Sequence, residues 1–135
     1  MPAQYLSPEW LAEGRARIEK SAEFKDAAKT LELSMINVIT DVPKKGTVYV
    51  RYAFSLGSIQ DLQLGTDPAI AANEADFKVT GSYETFAALT QGKLSIAQAF
   101  LARKIKLEGS VTRAIMFVKP LDTMNRILRQ VPTVY

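Results

Sequence analysis

Neither cysteine nor histidine occurs anywhere in the 135 residues. Their absence excludes disulfides, thiol nucleophiles, the usual structural zinc sites and the side chain most often used as a general base near neutral pH. Serine–histidine–acid triads, cysteine–histidine pairs and histidine-anchored metal centres are ruled out with them. What is left for catalysis is carboxylate pairs, serine–lysine pairs and arginine clamps, and none stands out by spacing. Asp76 and Glu84 are near neighbours. However, Asp76 is expected to project away from the Phe77 side of its strand, and Glu84 sits in a helical first turn, where the helix dipole favours a carboxylate in any case. Long hydrophobic runs are also missing: none approaches the roughly 20 residues that a bilayer crossing needs. Met1 to Trp10 lacks the basic stretch followed by an apolar one that opens a secretory signal. A cytoplasmic, non-catalytic protein with no metal and no cofactor is expected.

What is present is ordinary globular composition, 47% hydrophobic and 23% charged, so one core and a single domain over residues 1–135 are expected, with residues 1–29 as a helical segment packed on it. The net charge of +3 hides an asymmetry. Residues 1–92 carry nine basic and twelve acidic side chains, whereas residues 93–135 carry eight and two, which leaves that last third at +6. Its cations are Lys93, Arg103, Lys104, Lys106, Arg113, Lys119, Arg126 and Arg129, against Glu108 and Asp122. Two readings follow: a solvated face, or a landing surface for anionic lipid through transient membrane contact. Nucleic acid is not an expected partner, because the cations lack a binding motif and are not interleaved with exposed aromatics.

Ser7-Pro8-Glu9 has the chemistry of a helix start, and the spacing of Trp10, Leu11, Ile18 and Ala22 predicts a helix from Pro8 to about Ala22. A further short turn of helix is expected over residues 24–29. From Glu9 to Lys29 the five acidic and five basic residues balance, so this segment is a poor ligand for anionic membranes. In Thr47–Leu56 the residues Val48, Val50, Tyr52, Phe54 and Leu56 alternate with polar or small ones, the period of a strand with one apolar face. Residues 31–42 are strand-like in two phases, Leu31, Leu33 and Met35 against Ile36 and Val38, which predicts a bulge or burial on both faces. Pro43-Lys44-Lys45-Gly46 and Gly57-Ser58 supply turns, so an antiparallel meander ending near Leu64 is expected, followed by a short helical connection over Pro68–Asn73. Ala75–Thr80 reads as a fourth strand with Phe77 and Val79 inward. Ser82 then caps a helix closed by Gly92, and Ser95 with Gln98 forms a capping box for a second helix reaching about Ala102. A fifth strand, Lys104–Glu108, ends at Gly109. Ser110 caps a last helix with apolar positions from Val111 to Val131, which Pro120 should kink or split.

The ordered segment Ala75-Asp76-Phe77-Lys78-Val79-Thr80-Gly81-Ser82-Tyr83-Glu84-Thr85-Phe86, then Leu89, Gly92-Lys93-Leu94, Ala99-Phe100 and Lys104-Ile105-Lys106-Leu107-Glu108-Gly109, resembles the sterol carrier protein family of the nonspecific lipid-transfer type. The likeness extends over about residues 31–131. It implies an α+β fold in which a five-stranded, mainly antiparallel sheet is covered by helices and encloses an apolar tunnel. The implied ligand is lipid-like, a fatty acid, an acyl-CoA or a sterol, and the implied chemistry is non-covalent. The chain departs from the family in three places. It ends Pro132-Thr133-Val134-Tyr135 rather than in a Ser-Lys-Leu-like peroxisomal address. It has Ala102-Arg103 where members often have glycine before the last strand, and its first 30 residues match only in being helical.

Phe77, Phe86, Leu89, Phe100, Ile115, Met116, Val118, Leu121 and Met124 lie on expected inward faces. Taken as residues alone they fill a dry core, as aromatic and methionine stripes commonly do. The resemblance makes them the lining of a ligand-binding tunnel. Two other roles stay open at this stage: a protein-interaction module whose pocket receives a partner's segment, and an accessory that presents a bound substrate to a separate enzyme.

Overall fold

Ser7 and Ser21 divide the N-terminal segment into two helices in the computed structural model, which describes residues 2–135. After a two-residue strand β1 (Ala3–Gln4) come α1 (Pro8–Glu19) and α2 (Ala22–Ala28). The Ser7 hydroxyl accepts from the Trp10 N–H at 3.2 Å and the Ser21 hydroxyl from the Phe24 N–H at 3.1 Å. These are N-cap bonds, and the second explains why the first helix stops short of Ala22. Trp10, Gly14 and Ile18 form the buried side of α1.

The strands that follow are β2 (Glu32–Val42), β3 (Gly46–Ser55), β4 (Ser58–Gly65), β5 (Phe77–Ser82) and β6 (Ile105–Glu108). They form one sheet in the order β4-β3-β2-β5-β6. All neighbours are antiparallel except β2 and β5, which run parallel. The expected α+β class, with a mainly antiparallel five-stranded sheet under helices, is the observed one. Both explanations of the two-phase strand hold. The register of β2 on β3 shifts between Ile39 and Val42, and Leu33, Met35 and Ile39 are buried on one face while Ile36 and Val38 are buried on the other. Part of that second face lies beside the crossover from β4 to β5, whose carbonyls at Asn73 and Glu74 accept from the Arg51 guanidinium at 3.0 and 2.9 Å. Leu56, expected on the inner face of β3, is instead 62% exposed. With φ of 46° beside Gly57 at 96°, it forms the two-residue hairpin turn, whose favoured geometry puts both residues at positive φ.

Three helices cover the sheet: α3 (Tyr83–Gln91), α4 (Ile96–Leu101) and α5 (Val111–Leu128). Ser82, Ser95 and Ser110 cap them, and the expected Ser95–Gln98 capping box is present with bonds of 3.1 and 2.9 Å. Pro120 does not split α5, which is a single 18-residue element with the proline ring buried in it. The core lies between helices and sheet. Phe24, Phe54, Phe77, Met35, Ile39 and Val48 are almost wholly enclosed, and the Phe24 and Phe54 rings meet at a tilt of 49° with centres 5.7 Å apart. A last strand, β7 (Thr133–Val134), pairs in parallel with β1, a contact that no periodicity announces. Among the described residues no helix is long and apolar enough to cross a membrane.

Candidate functional site

Helices α3, α4 and α5 do not close down on the sheet at the β5–β6 end, and a cavity of about 280 Å³ remains there. Alternation sets its floor. Val79 of β5 and Ile105 and Leu107 of β6 face inward, while Lys106 and Glu108 on the opposite phase are exposed. Tyr52 of β3 and Asn37 of β2 continue the floor toward the middle of the sheet. Phe86 and Leu89 of α3 form one wall, and Ile96, Ala97, Phe100 and Leu101 of α4 another. The roof is α5, through Val111, Ala114, Ile115, Phe117, Val118, Leu121, Met124 and Asn125. Every lining side chain is apolar except Asn37, Tyr52 and Asn125, which gather at the inner end.

The mouth is apolar as well. Leu101 is 81% exposed and Ile115 75%, and Val111, Met116 and Phe100 are also exposed close by in the chain. These side chains leave an apolar cluster exposed on α4 and α5. Arg113 and Lys119 flank Ile115 and Met116 on α5, and Arg103 follows Leu101; all three cations are exposed.

Seven of the nine residues expected to line a tunnel are brought together around this cavity: Phe86, Leu89, Phe100, Ile115, Val118, Leu121 and Met124. Two are not. Phe77 shares the inner face of β5 with Val79 but packs edge-on against Phe117, with ring centres 4.7 Å apart, and is a fully buried core residue. Met116 is 61% exposed; on a helix it lies about 100° around from Phe117, which faces the core. Of the polar residues at the inner end, Tyr52 follows from the alternation of β3, whereas Asn37 and Asn125 were not among the expected lining, although Asn37 carries a signal. It keeps the phase of Met35 and Ile39 on β2, and a carboxamide on an otherwise apolar strand face is unusual.

Tyr52 is the most enclosed polar group of the site. Burial pushes its phenol well above the ordinary value, partly opposed by its hydrogen bond to Asn37, so it stays protonated as a donor. Asp76 has a structural role. Its Oδ2 accepts from the Ser34 N–H at 2.8 Å, its own N–H donates to the Ser34 hydroxyl at 3.0 Å, and its other oxygen lies 3.8 Å from Arg113. This clasp fastens the start of β5 to β2.

Similar architecture occurs in solved structures. A conserved hypothetical protein of Thermus thermophilus superposes with a TM-score of 0.81 at 18% identity, over 97% of this chain and 92% of that one. A crystal structure of sterol carrier protein 2 gives 0.79 at 20% identity, over 95% and 99%. A stereoselective inverting sec-alkylsulfatase of Pseudomonas gives 0.51 at 19% identity, over 70% of this chain but only 13% of the much longer enzyme. At these identities the likeness is one of fold. Comparison with curated proteins by sequence gives no significant match. The model of the SCP-2 sterol transfer family, by contrast, matches residues 11–122, most of the chain, and the chain therefore belongs to that family of lipid-binding and lipid-transfer domains.

Proposed function

We propose that the protein binds a lipid-like ligand reversibly in the cavity under α5 and transfers it without covalent chemistry. The carrying observation is the cavity itself, about 280 Å³ of space lined by carbon up to Asn37, Tyr52 and Asn125. The mouth is open, so without a ligand this apolar lining stays in contact with water, a cost roughly proportional to the apolar area left unburied. A ligand chain removes that cost and gains about 0.8 kcal/mol per buried methylene. A fatty acid, an acyl-CoA or a sterol-like molecule supplies such a chain or ring system. The absence of cysteine and histidine supports a carrier over a catalyst. Delivery is by transient contact with anionic membrane, the exposed apolar mouth entering the interface while Arg103, Arg113 and Lys119 meet the head groups.

Native mass spectrometry of the purified protein, with thermal melts in palmitate, palmitoyl-CoA and cholesterol, tests this reading. A co-purified lipid, or a rise of several degrees with at least one ligand, is expected. Apoprotein alone, with no shift across the three classes, overturns it. A second reading, presentation of a bound substrate to a separate enzyme, is favoured by the similar domain within the much longer sec-alkylsulfatase.

A further inference from the structure

Next to the main cavity is a smaller chamber of about 80 Å³, and the side chains of Asn37, Tyr52, Phe86, Met124 and Asn125 line both. Three of these five shared residues are polar, in contrast to the carbon surface on the outer side. The chamber is also lined by Trp10, whose indole Nε1–H is buried and has no hydrogen-bond partner among the described residues. Tryptophan is a donor only, and buried donors are normally paired. A second donor is poorly served: the Tyr52 hydroxyl donates to Asn37 Oδ1 across 3.5 Å, well beyond the usual O–H···O distance of about 2.7–2.8 Å. Two buried donors thus border two adjoining spaces, which share five lining residues, where an acceptor is short.

Resting on the carrier reading, we propose that this chamber is a second subsite, which receives the buried end of a lipid chain and prefers an end bearing a hydrogen-bond-accepting oxygen, as in an ω-hydroxyacyl chain. The terminal oxygen accepts from Trp10 Nε1–H, and its own hydrogen is offered to the carboxamide oxygens of Asn37 or Asn125. A methyl end leaves the indole unpaired. The chain reaches the chamber between Phe86 and Met124, and the unbranched thioether of Met124 adapts to its passage. The space is adequate, since one water needs only about 10–15 Å³ of such volume and the chamber offers about 80 Å³.

Titration calorimetry with palmitate and ω-hydroxypalmitate tests this, with the emission of Trp10, the only tryptophan in the chain, followed in parallel. The hydroxylated chain is expected to bind about fivefold more tightly, the effect of one well-made buried hydrogen bond, and to shift the Trp10 emission more than palmitate does. Trp10→Phe should erase the preference, making the two affinities equal when both acids are titrated into the same variant. Asn37→Leu should weaken the preference, and it provides a second variant should loss of the indole impair folding. In an apolar dead end the hydroxyl would be stripped of water without return and would bind more weakly. Equal or weaker binding of the hydroxylated chain, or a preference that survives Trp10→Phe, overturns the subsite while leaving the carrier reading intact. Binding of neither acid removes both.

Discussion

Arg103 ends α4 in the left-handed region, with φ of 58°. The Lys104 N–H reaches the Ala99 carbonyl at 2.9 Å and the Arg103 N–H the Phe100 carbonyl at 3.1 Å, the bond pair of a Schellman cap whose left-handed position favours glycine. Gly92 holds the equivalent place after α3, with φ of 78°. The departure from glycine before the last strand is thus a replacement of side chain without a change of backbone. A left-handed non-glycine residue costs about 1–2 kcal/mol, offset in part by the larger unfolded entropy of glycine, about 0.5–1 kcal/mol. Arg103→Gly is therefore expected to stabilise by about 0.5 kcal/mol, read as a higher urea midpoint at unchanged slope. Gly109 is constrained differently, since a Cβ there would lie 2.6 Å from both the Asp76 carbonyl oxygen and the Phe77 ring. Ala114 is small, buried and in the roof of the cavity. Ala114→Phe should put its ring into the void, lower palmitate affinity more than tenfold, and hold or raise apoprotein stability by about 1 kcal/mol as the void fills. Calorimetric titration and thermal melting of the same variant check both halves, and a destabilised variant with intact binding contradicts the geometry.

At the scale of the element, α5 carries an apparent contradiction, a proline within a helix that forms the roof of the site. Proline is about 3 kcal/mol less favourable than alanine in a helix interior, and Pro120 forfeits a bond to the Met116 carbonyl four residues earlier. Its ring is buried among the most enclosed side chains, and losing about two methylenes of that burial costs about 1.6 kcal/mol. The helical term is the larger. Pro120→Ala is expected to stabilise by about 1 kcal/mol, and a lower melting temperature would show that ring packing outweighs helical preference here. The helix starts were legible in the sequence because a serine hydroxyl bonds an amide three residues on, a local event, as at Ser82, Ser95 and Ser110. The fate of Pro120 was not, because what holds the helix through it is packing against distant elements.

For the whole molecule, the apolar mouth and the cations beside it predict how ligand moves. Arg103→Glu combined with Lys119→Glu should lower affinity for phosphatidylserine-containing vesicles at least tenfold, since each basic residue near a negative surface contributes about 1 kcal/mol. Binding of palmitate in solution should stay the same, and added salt should weaken the parent's vesicle binding as the double variant does. Vesicle sedimentation at two salt concentrations, with a parallel calorimetric titration, checks this. Equal binding by parent and variant would overturn the proposed role of these cations in membrane contact.

Much of this protein follows from local chemistry. The residue inventory removed histidine and cysteine chemistry, capping serines started the helices, and two-residue alternation in β3 and β6 set which side chains face inward. Tertiary structure decided what depends on distance along the chain. The pairing of β1 with β7 joins residues at opposite ends of the sequence, and the parallel pairing of β2 with β5 needs a crossover whose geometry no short window encodes. The same holds within the candidate site. Phe77 and Val79 share one strand face and one alternation, yet Phe117 seals the first into the core while the second lines the cavity. Periodicity states which face a residue is on; only the packing of α5 above it decides whether that face meets carbon or empty space.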